Sequence, residues 1–387
     1  MGKCRRRGGL QLHEPIRVLH VVNKMNQGGI QSLIMTFYRN IDRSKIQFDF
    51  VVQDNAPHHF DDEIISLGGR IHSVPRMTTS SVKSFSKAFG QILEDNPDYQ
   101  VIHAHCNWLN IIPLRVAKKY GVPIRISHSH SAYGARSLFR RVQRLLFQKS
   151  IGFYATDFLA CSNVAGVWLY GKQFMTDGRA MVVHNAIDID KFRFDENIRH
   201  ELRKKHQIGS KTHVLISVGR LDSGKNHGFL IDVFKEYQKL NKDSVLILAG
   251  DGPLRSVLER QVDEMGLGQK VLFLGMIANV HEYLSAADLF VFPSFSEGLG
   301  IALIEAQTNG LPCVVSEGIP KEADVANAAV FCGLDEPPSE WAKCIYELKD
   351  VRRTDYLSNV RNAGYDVKLE ALRLENFYLA RARNIIS

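Results

Sequence analysis

The chain has 387 residues, enough for two or three compact domains at about 150 residues each. Its 45% apolar and 23% charged content fits a folded protein and excludes a disordered one. The formal net charge of +8 tolerates an anionic partner but is too mild and dispersed to call for nucleic acid, and no apolar run approaches the ~20 residues that cross a bilayer.

Residues 1–14 read as a flexible tail. MGKCRRRGG carries a basic stretch with no apolar core behind it, unlike a secretory signal, and Arg6 stands where N-myristoylation prefers Ser or Thr. The six cysteines, at 4, 106, 161, 313, 332 and 344, form no CxxC pair and suit neither a zinc site nor a disulfide framework. A reduced, cytoplasmic setting is expected.

From residue 16 onward, short β-branched runs alternate with stretches of helical spacing. Strands are predicted at 16–22, 48–53, 101–104, 124–127, 158–161 and 181–184. A second series follows at 214–218, 245–249, 271–274, 289–292, 313–316 and 329–331. Near-continuous apolar runs mark strands buried on both faces of a parallel sheet. Helices are predicted at 28–38, 225–240 and 254–265, giving a βαβ rhythm and doubly wound sheets. So many strands exceed one such domain, and a charged stretch at 188–205 separates the two series. The reading is therefore an α/β protein with domains at 15–190 and 191–365. A C-terminal segment, 366–387, holds a helix at 369–385 that could belong to either half. Ligands of such sheets bind at the carboxyl ends of the strands, so a cleft between the two halves is the expected site.

Between Asp98 and Asp157 there is no acidic residue but nine basic ones. Within this span, 136–149 sets Leu138, Val142, Leu145 and Leu146 on one helical face against Arg136, Arg140, Arg141 and Arg144. Such a helix can lie on an anionic membrane, each basic residue contributing ~1 kcal/mol, which would place the protein on the inner face of the cell membrane. Equally, the apolar stripe could pack on its own sheet and leave the arginines solvated.

The stretch Gly219-Arg-Leu-Asp-Ser-Gly224-Lys225-Asn226 follows a strand and opens a helix. It nearly fits the phosphate-cradling pattern GxxxxGK[ST], but Asn226 replaces the hydroxyl that would hold Mg²⁺. What remains is phosphate binding by Arg220 and Lys225 at a helix N-terminus; the alternative is an ordinary surface loop. A second cluster runs Ser294-Phe-Ser-Glu297-Gly298-Leu299-Gly300-Ile-Ala-Leu-Ile-Glu305. Its glycines let backbone approach a ligand, and its two carboxylates can accept hydrogen bonds from sugar or ribose hydroxyls. No Asp-x-Asp motif stands out in the segments expected to face the cleft, so no metal is expected.

In the first half, Gly28-Gly29 offers backbone amides at a helix start, or is only a turn. Two histidine pairs end strands there, His103-Ala-His105 and His128-Ser-His130. No third ligand lies at a fitting interval, which argues against a metal. A core role competes with hydrogen bonding to a sugar hydroxyl or proton movement.

Arg220…Lys225-Asn226, Leu248-Ala-Gly250-Asp-Gly252-Pro253, the Glu297…Glu305 cluster and Gly310-Leu-Pro312 together resemble the retaining family 4 glycosyltransferases, which have the GT-B fold. His20-Val-Val-Asn-Lys-Met-Asn-Gln-Gly-Gly-Ile and Phe48-Asp-Phe-Val-Val resemble the branch that builds bacterial exopolysaccharide and capsule. The match spans roughly 16–365, and the motifs of the second half are the more specific. The resemblance implies two Rossmann-like, doubly wound domains facing a deep cleft. It implies transfer from a nucleotide diphosphate sugar, a UDP-sugar, to a hydroxyl of a glycan or lipid-linked glycan, with retained anomeric configuration and no cofactor or metal. Arg220 and Lys225 would hold the donor diphosphate, Glu305 the ribose, and Glu297 would face the transferred sugar. Gly219, Asn226, Gly250, Gly252, Gly298, Leu299 and Gly300 would line the donor, with Gly28 and Gly29 near the phosphate and acceptor. His105 would reach the sugar or acceptor, and His130 and Asn185 would line the acceptor side. Two departures are Gln31, where relatives often have Glu, and His184-Asn-Ala-Ile-Asp188 for the relatives' Pro-Asn-Gly-Val-Asp.

Rival classes are a P-loop-like NTPase or kinase and a non-catalytic sugar-nucleotide-binding partner of another transferase. The first leaves the Glu297–Glu305 cluster idle, and the second leaves the four charged positions without a task. A dinucleotide oxidoreductase is weaker still, since no strand precedes a GxGxxG.

Overall fold

A computed structural model of the chain describes residues 14–26, 28–78, 80–130 and 150–386. The expected tail, apart from Glu14, and the basic amphipathic helix at 136–149 lie outside the described residues. Two compact units result. One joins the chain up to Ala186 with the residues from Val367 onward, and the other is Ile187–Asp366.

The first unit is built on seven strands: β1 (Ile16–Val21), β2 (Ile46–Val52), β3 (Ile71–Ser73), β4 (Val101–Ala104), β5 (Ile124–Ser129), β6 (Asp157–Ala160) and β7 (Ala180–Val182). All pairings are parallel, in the order β3-β2-β1-β4-β5-β6-β7. Strand β3 is the one the apolar pattern did not predict. Its three residues, Ile-His-Ser, are only half covered at the sheet edge and carry no apolar run.

The second unit has six strands: β8 (His213–Val218), β9 (Ser244–Ala249), β10 (Val271–Gly275), β11 (Leu289–Phe292), β12 (Cys313–Ser316) and β13 (Ala329–Cys332). These too are parallel, ordered β10-β9-β8-β11-β12-β13. Each sheet is thus doubly wound, as the GT-B fold requires. Its direction of growth reverses between β1 and β4 in one unit, and between β8 and β11 in the other. The crevice at such a reversal, at the carboxyl ends of the strands, is where open α/β sheets hold ligands.

The last helix, Val367–Ile386, packs into the first unit. Val367, Ala371, Leu374, Tyr378 and Ala382 recur at helical spacing and are all buried in that core. Polar anchors fix the same helix. Glu375 accepts hydrogen bonds from Asp42 N at 2.9 Å and Lys45 Nζ at 3.2 Å, Glu370 accepts from His184 N at 2.8 Å, and Arg381 pairs with Asp157.

One core position needs a partner set to exist at all. Asp49 interrupts the apolar run of β2 and has no solvent exposure. Arg17 grips its two oxygens from Nε and Nη2 at 2.6 Å each, and Tyr99 OH (2.8 Å) and Arg70 N (2.7 Å) donate to them as well. Burying a carboxylate costs several kcal/mol unless it is paired and hydrogen-bonded in this way. Among the described residues no helix is long and apolar enough to cross a membrane.

Candidate active site

The segments that follow β8 and β11 meet at the reversal point of the second sheet. Gly219, the first residue after β8, donates from its N–H to Ala249 O at 3.0 Å, and Leu221 N donates to Asp251 O at 3.0 Å. Gly250 has φ +149°, and a Cβ there would stand 1.9 Å from Gly219 O; one on Gly252 would stand 2.4 Å from Leu221 O. These two glycines therefore let the loop after β9 lock under the loop after β8, and that close approach sets the position of residues 219–221.

Lys225 lies at the end of this loop. Its Nζ is 2.5 Å from Glu297 Oε1, from the loop after β11, and 5.1 Å from the centroid of the Phe292 ring. Ser294 Oγ lies within hydrogen-bond distance of both Glu297 Oε1 (2.5 Å) and Gly224 O (2.9 Å), and Phe295 N donates to Gly224 O at 2.9 Å. The two loops are thereby tied around one ion pair. Arg220 differs: its side chain is 71% exposed, and its nearest carboxylate, on Asp222, is 3.9 Å away. An exposed guanidinium and a fixed ammonium on one loop are donor types that suit phosphate oxygens.

Three helices begin at strand ends with orphan N–H groups. The helices Gly29–Asn40, His227–Leu240 and Ile301–Thr308 have no side-chain cap and no acidic residue in the first turn. Such N-termini favour anions. Asn226 sits directly before the second helix at φ +58°, so the place of a metal-holding Ser or Thr is a left-handed Asn. Gly300, at φ +90°, makes the turn into the third helix, and a Cβ there would press on Ile319 Cγ2 at 3.1 Å. Gly298 has open space at its Cα, whereas the Leu299 side chain is buried in the core. Only backbone at 299 could meet a ligand.

Glu305 lies one turn into the helix Ile301–Thr308. Its carboxyl has no hydrogen-bond partner among the described residues, and burial pushes its pKa up to about 8 although Lys191 pulls the other way. A half-covered acceptor of this kind suits a pair of hydroxyl donors. An Asp-x-Asp triplet does occur in this unit, at Asp188–Asp190, which the sequence reading passed over. Asp188 there caps the helix Ile189–Phe192, accepting from Lys191 N at 3.1 Å.

In the first unit, β1, β4 and β5 bring five histidines together. His20 Nδ1 is 2.9 Å from His105 Nε2, and His105 Nδ1 is 2.8 Å from His130 Nε2. Below them, His103 Nε2 is 3.1 Å from His128 Nδ1, and His103 Nδ1 is 2.7 Å from Tyr378 OH on the C-terminal helix. His20, His103, His105 and His128 are buried and His130 half-buried. Burial drives His20 and His130 down to about 3 and, with repulsion among the rings, the other three well below the usual imidazole range. All five are neutral at pH 7.

The rings line one small cavity together with Leu33, Phe37 and Phe48. No third ligand was visible by sequence interval, yet the fold supplies one to each pair. His20, His103 and His105 form one set with ligand atoms within 4.8 Å, and His105, His128 and His130 form another. Neither set includes a carboxylate or thiolate, and apolar side chains wall the cavity. Three neutral imidazoles can ligate zinc; here most of the ring nitrogens are engaged with one another or with Tyr378.

His20 is the member that sequence reasoning missed. Its signal is register: His20 stands directly beside His103 across β1 and β4, a fact available only once those strands are known to be neighbours. His105 uses both ring nitrogens on other histidines, so in this arrangement it offers none to a substrate. His130 Nδ1 has no partner among the described residues. Asn185 follows the edge strand β7, two strands from β5, and its buried Oδ1 has no hydrogen-bond partner among the described residues. Gly28 precedes the helix Gly29–Asn40, with Gln31 Oε1 where a Cβ would be (2.6 Å), and Gly29 is open.

Residues 198–359 match the family described as Glycosyl transferases group 1, and residues 27–191 match Glycosyltransferase Family 4. EpsF of Bacillus subtilis (strain 168), named as a glycosyltransferase, is 34% identical over 369 residues, spanning 94% of this chain and 96% of that protein. The capsular polysaccharide biosynthesis glycosyltransferase CapH of Staphylococcus aureus is 24% identical over 95% of this chain and 99% of its own length. Among solved structures, Anabaena Alr3699/HepE in complex with UDP superposes with a TM-score of 0.76 at 17% identity, covering 94% of this chain and all of that one. That likeness speaks for the fold.

Proposed function

The chain belongs to the family 4 glycosyltransferases, in the branch that includes exopolysaccharide and capsule enzymes, and on that premise we propose that it moves a sugar from a UDP-sugar to a hydroxyl of a glycan or lipid-linked glycan, with retention of anomeric configuration. The observation that carries this reading is the arrangement of Arg220, Lys225 and Glu297 beside an uncapped helix start, with the unpartnered carboxyl of Glu305 one turn into the next helix. The capsule relative supports a polysaccharide product, and the UDP-bound structural neighbour supports a uridine donor.

As the bond from sugar to phosphate breaks, negative charge grows on the departing diphosphate. Arg220, Lys225 and the orphan N–H groups of the helix His227–Leu240 are positioned in advance to meet that charge, and they stabilise it more in the transition state than before it. Lys225 must loosen from Glu297 as phosphate arrives, which leaves Glu297 held by Ser294 and able to accept a sugar hydroxyl. Glu305 accepts the ribose hydroxyls. With cationic side chains and helix amides at the leaving group, no divalent cation is required for its departure.

A thermal-shift comparison of UDP, GDP and ADP, followed by NMR of the product's anomeric centre with and without excess EDTA, tests the reading. Selective stabilisation by UDP, by ~2.7 kcal/mol at one hundred times the dissociation constant, and an α-linked product from an α-linked donor in EDTA are expected. An inverted product or a strict need for Mn²⁺ or Mg²⁺ would refute the corresponding part.

A further inference from the structure

The histidine group of the first unit contains two hydrogen-bonded chains, and one runs from the core to the surface: His20 Nδ1 to His105 Nε2, then His105 Nδ1 to His130 Nε2. Three neutral imidazoles carry three N–H groups between them. Two of these fill the two hydrogen bonds, so the third must sit at one end of the chain. At the inner end is His20 Nε2, fully buried and without a partner. At the outer end is His130 Nδ1, on a ring that is half-buried.

The two ends are not equivalent. An N–H left unpaired in the core costs about 1–3 kcal/mol, and orphaned buried donors are rarer than under-satisfied acceptors. The cavity there is lined by the histidine rings and by Leu33, Ile34, Phe37, Phe48 and Leu374, and none of them gives His20 Nε2 a hydrogen-bond partner. The chain therefore points outward: His20 donates from Nδ1 to His105, His105 donates from Nδ1 to His130, and His130 is left with its N–H on Nδ1. Reversing it would shift both bridging protons and also carry the terminal proton from His130 Nδ1 to the buried His20 Nε2, so all three rings would have to change tautomer.

We infer that His20 is a positioning residue which, through His105, fixes His130 as an Nδ1–H hydrogen-bond donor at the carboxyl end of β5. His20 touches no substrate. It sets which ring nitrogen of His130 carries hydrogen, so His130 meets the oxygen of a phosphate or hydroxyl with a donor and never with a lone pair. The consequence for turnover rests on the glycosyltransferase reading; the tautomer itself does not.

The test uses the full chain labelled with ¹⁵N-histidine. Long-range ¹H–¹⁵N correlation spectra should give His130 as a single Nδ1–H tautomer in the unmodified protein. His20→Phe keeps an aromatic ring and removes the first donor. It should turn the His130 signals into an average of both tautomers and lower kcat about threefold to tenfold, the worth of one hydrogen bond, with the KM for the donor unchanged. His20→Asn, whose amide N–H stands where Nδ1–H stood, should restore the spectrum and most of kcat. An Nε2–H tautomer of His130 in the unmodified protein overturns the proposal without any variant, so a misfolded His20→Phe cannot shelter it. A His20→Phe protein with an unchanged His130 spectrum overturns it as well. If the tautomer shifts as stated but no sugar donor is ever turned over, the positioning stands and the transferase reading falls.

Discussion

Lys225 and Glu297, carried by the loops that follow β8 and β11, meet at 2.5 Å across the reversal point of the second sheet. The pair is 23% and 13% exposed, so a ligand can reach it, and Ser294 holds the carboxylate side independently of the lysine. Removing the ammonium should therefore leave the loops in place. Lys225→Ala is expected to lower turnover ~10²–10³-fold, as loss of one preorganised donor does, with a melting temperature close to that of the parent. Steady-state kinetics alongside a thermal melt will decide; near-parental turnover would remove Lys225 from the leaving-group site.

The interlocked loops make a sharper structural prediction. Gly250→Ala places a methyl group 1.9 Å from Gly219 O, a backbone atom that cannot yield without moving residues 219–221. A loss of about 3 kcal/mol is expected, together with weakened UDP binding, because Arg220 sits on the displaced segment. Gly29→Ala is the control: its Cβ meets nothing within 4 Å, and stability should stay the same or rise slightly. Denaturant titration of both variants separates a steric cause from a general intolerance of side chains.

Asp49 tests the core. Asp49→Asn keeps the volume but leaves Arg17, largely covered, without its charge partner. Breaking a buried pair from one side typically costs about 3–5 kcal/mol, and most of that should appear as a lower urea midpoint with unchanged m-value. A loss below ~1 kcal/mol would mean that water reaches Arg17.

Glu305 gives a pH signature. Its carboxyl titrates near 8 in the folded chain, above the ordinary value of 4.5, chiefly because of burial. Between those values the folded chain keeps a proton that the unfolded chain has released. The stability contribution is thus full below pH 4.5, declines as pH rises toward 8, and is lost above it. Glu305→Gln should therefore be more stable than the parent at pH 8.5 and gain nothing at pH 5, while binding UDP more weakly at pH 8.5, where the parent carboxylate is ionised. Equal melting differences at the two pH values would show that the carboxyl is not desolvated.

Much of the fold was legible because parallel strands covered on both faces must be apolar throughout. The runs at 214–218 and 245–249 stand almost where β8 and β9 do. Strand β3 was not, since Ile71–Ser73 gets its strand geometry from pairing with β2 rather than from its own composition. In the second unit Lys225, Ser294 and Glu297 follow β8 and β11 in short loops, so sequence order already set them close to the strand ends. The histidine group is different. His20, His103, His128 and Tyr378 come from β1, β4, β5 and the last helix, as much as 358 positions apart (378 − 20), and only strand order and the docking of the C-terminal helix bring them together. The tasks of Gly250 and Gly252 were likewise hidden, because the need for glycine arises from another loop's carbonyl oxygens.

The decisive measurement is a crystal structure of this chain with UDP bound. Both phosphorus atoms are expected within one hydrogen-bonding shell of the Arg220 guanidinium and Lys225 ammonium, with the ribose hydroxyls on Glu305. A diphosphate bound elsewhere, with those three side chains still facing water, would contradict this assignment.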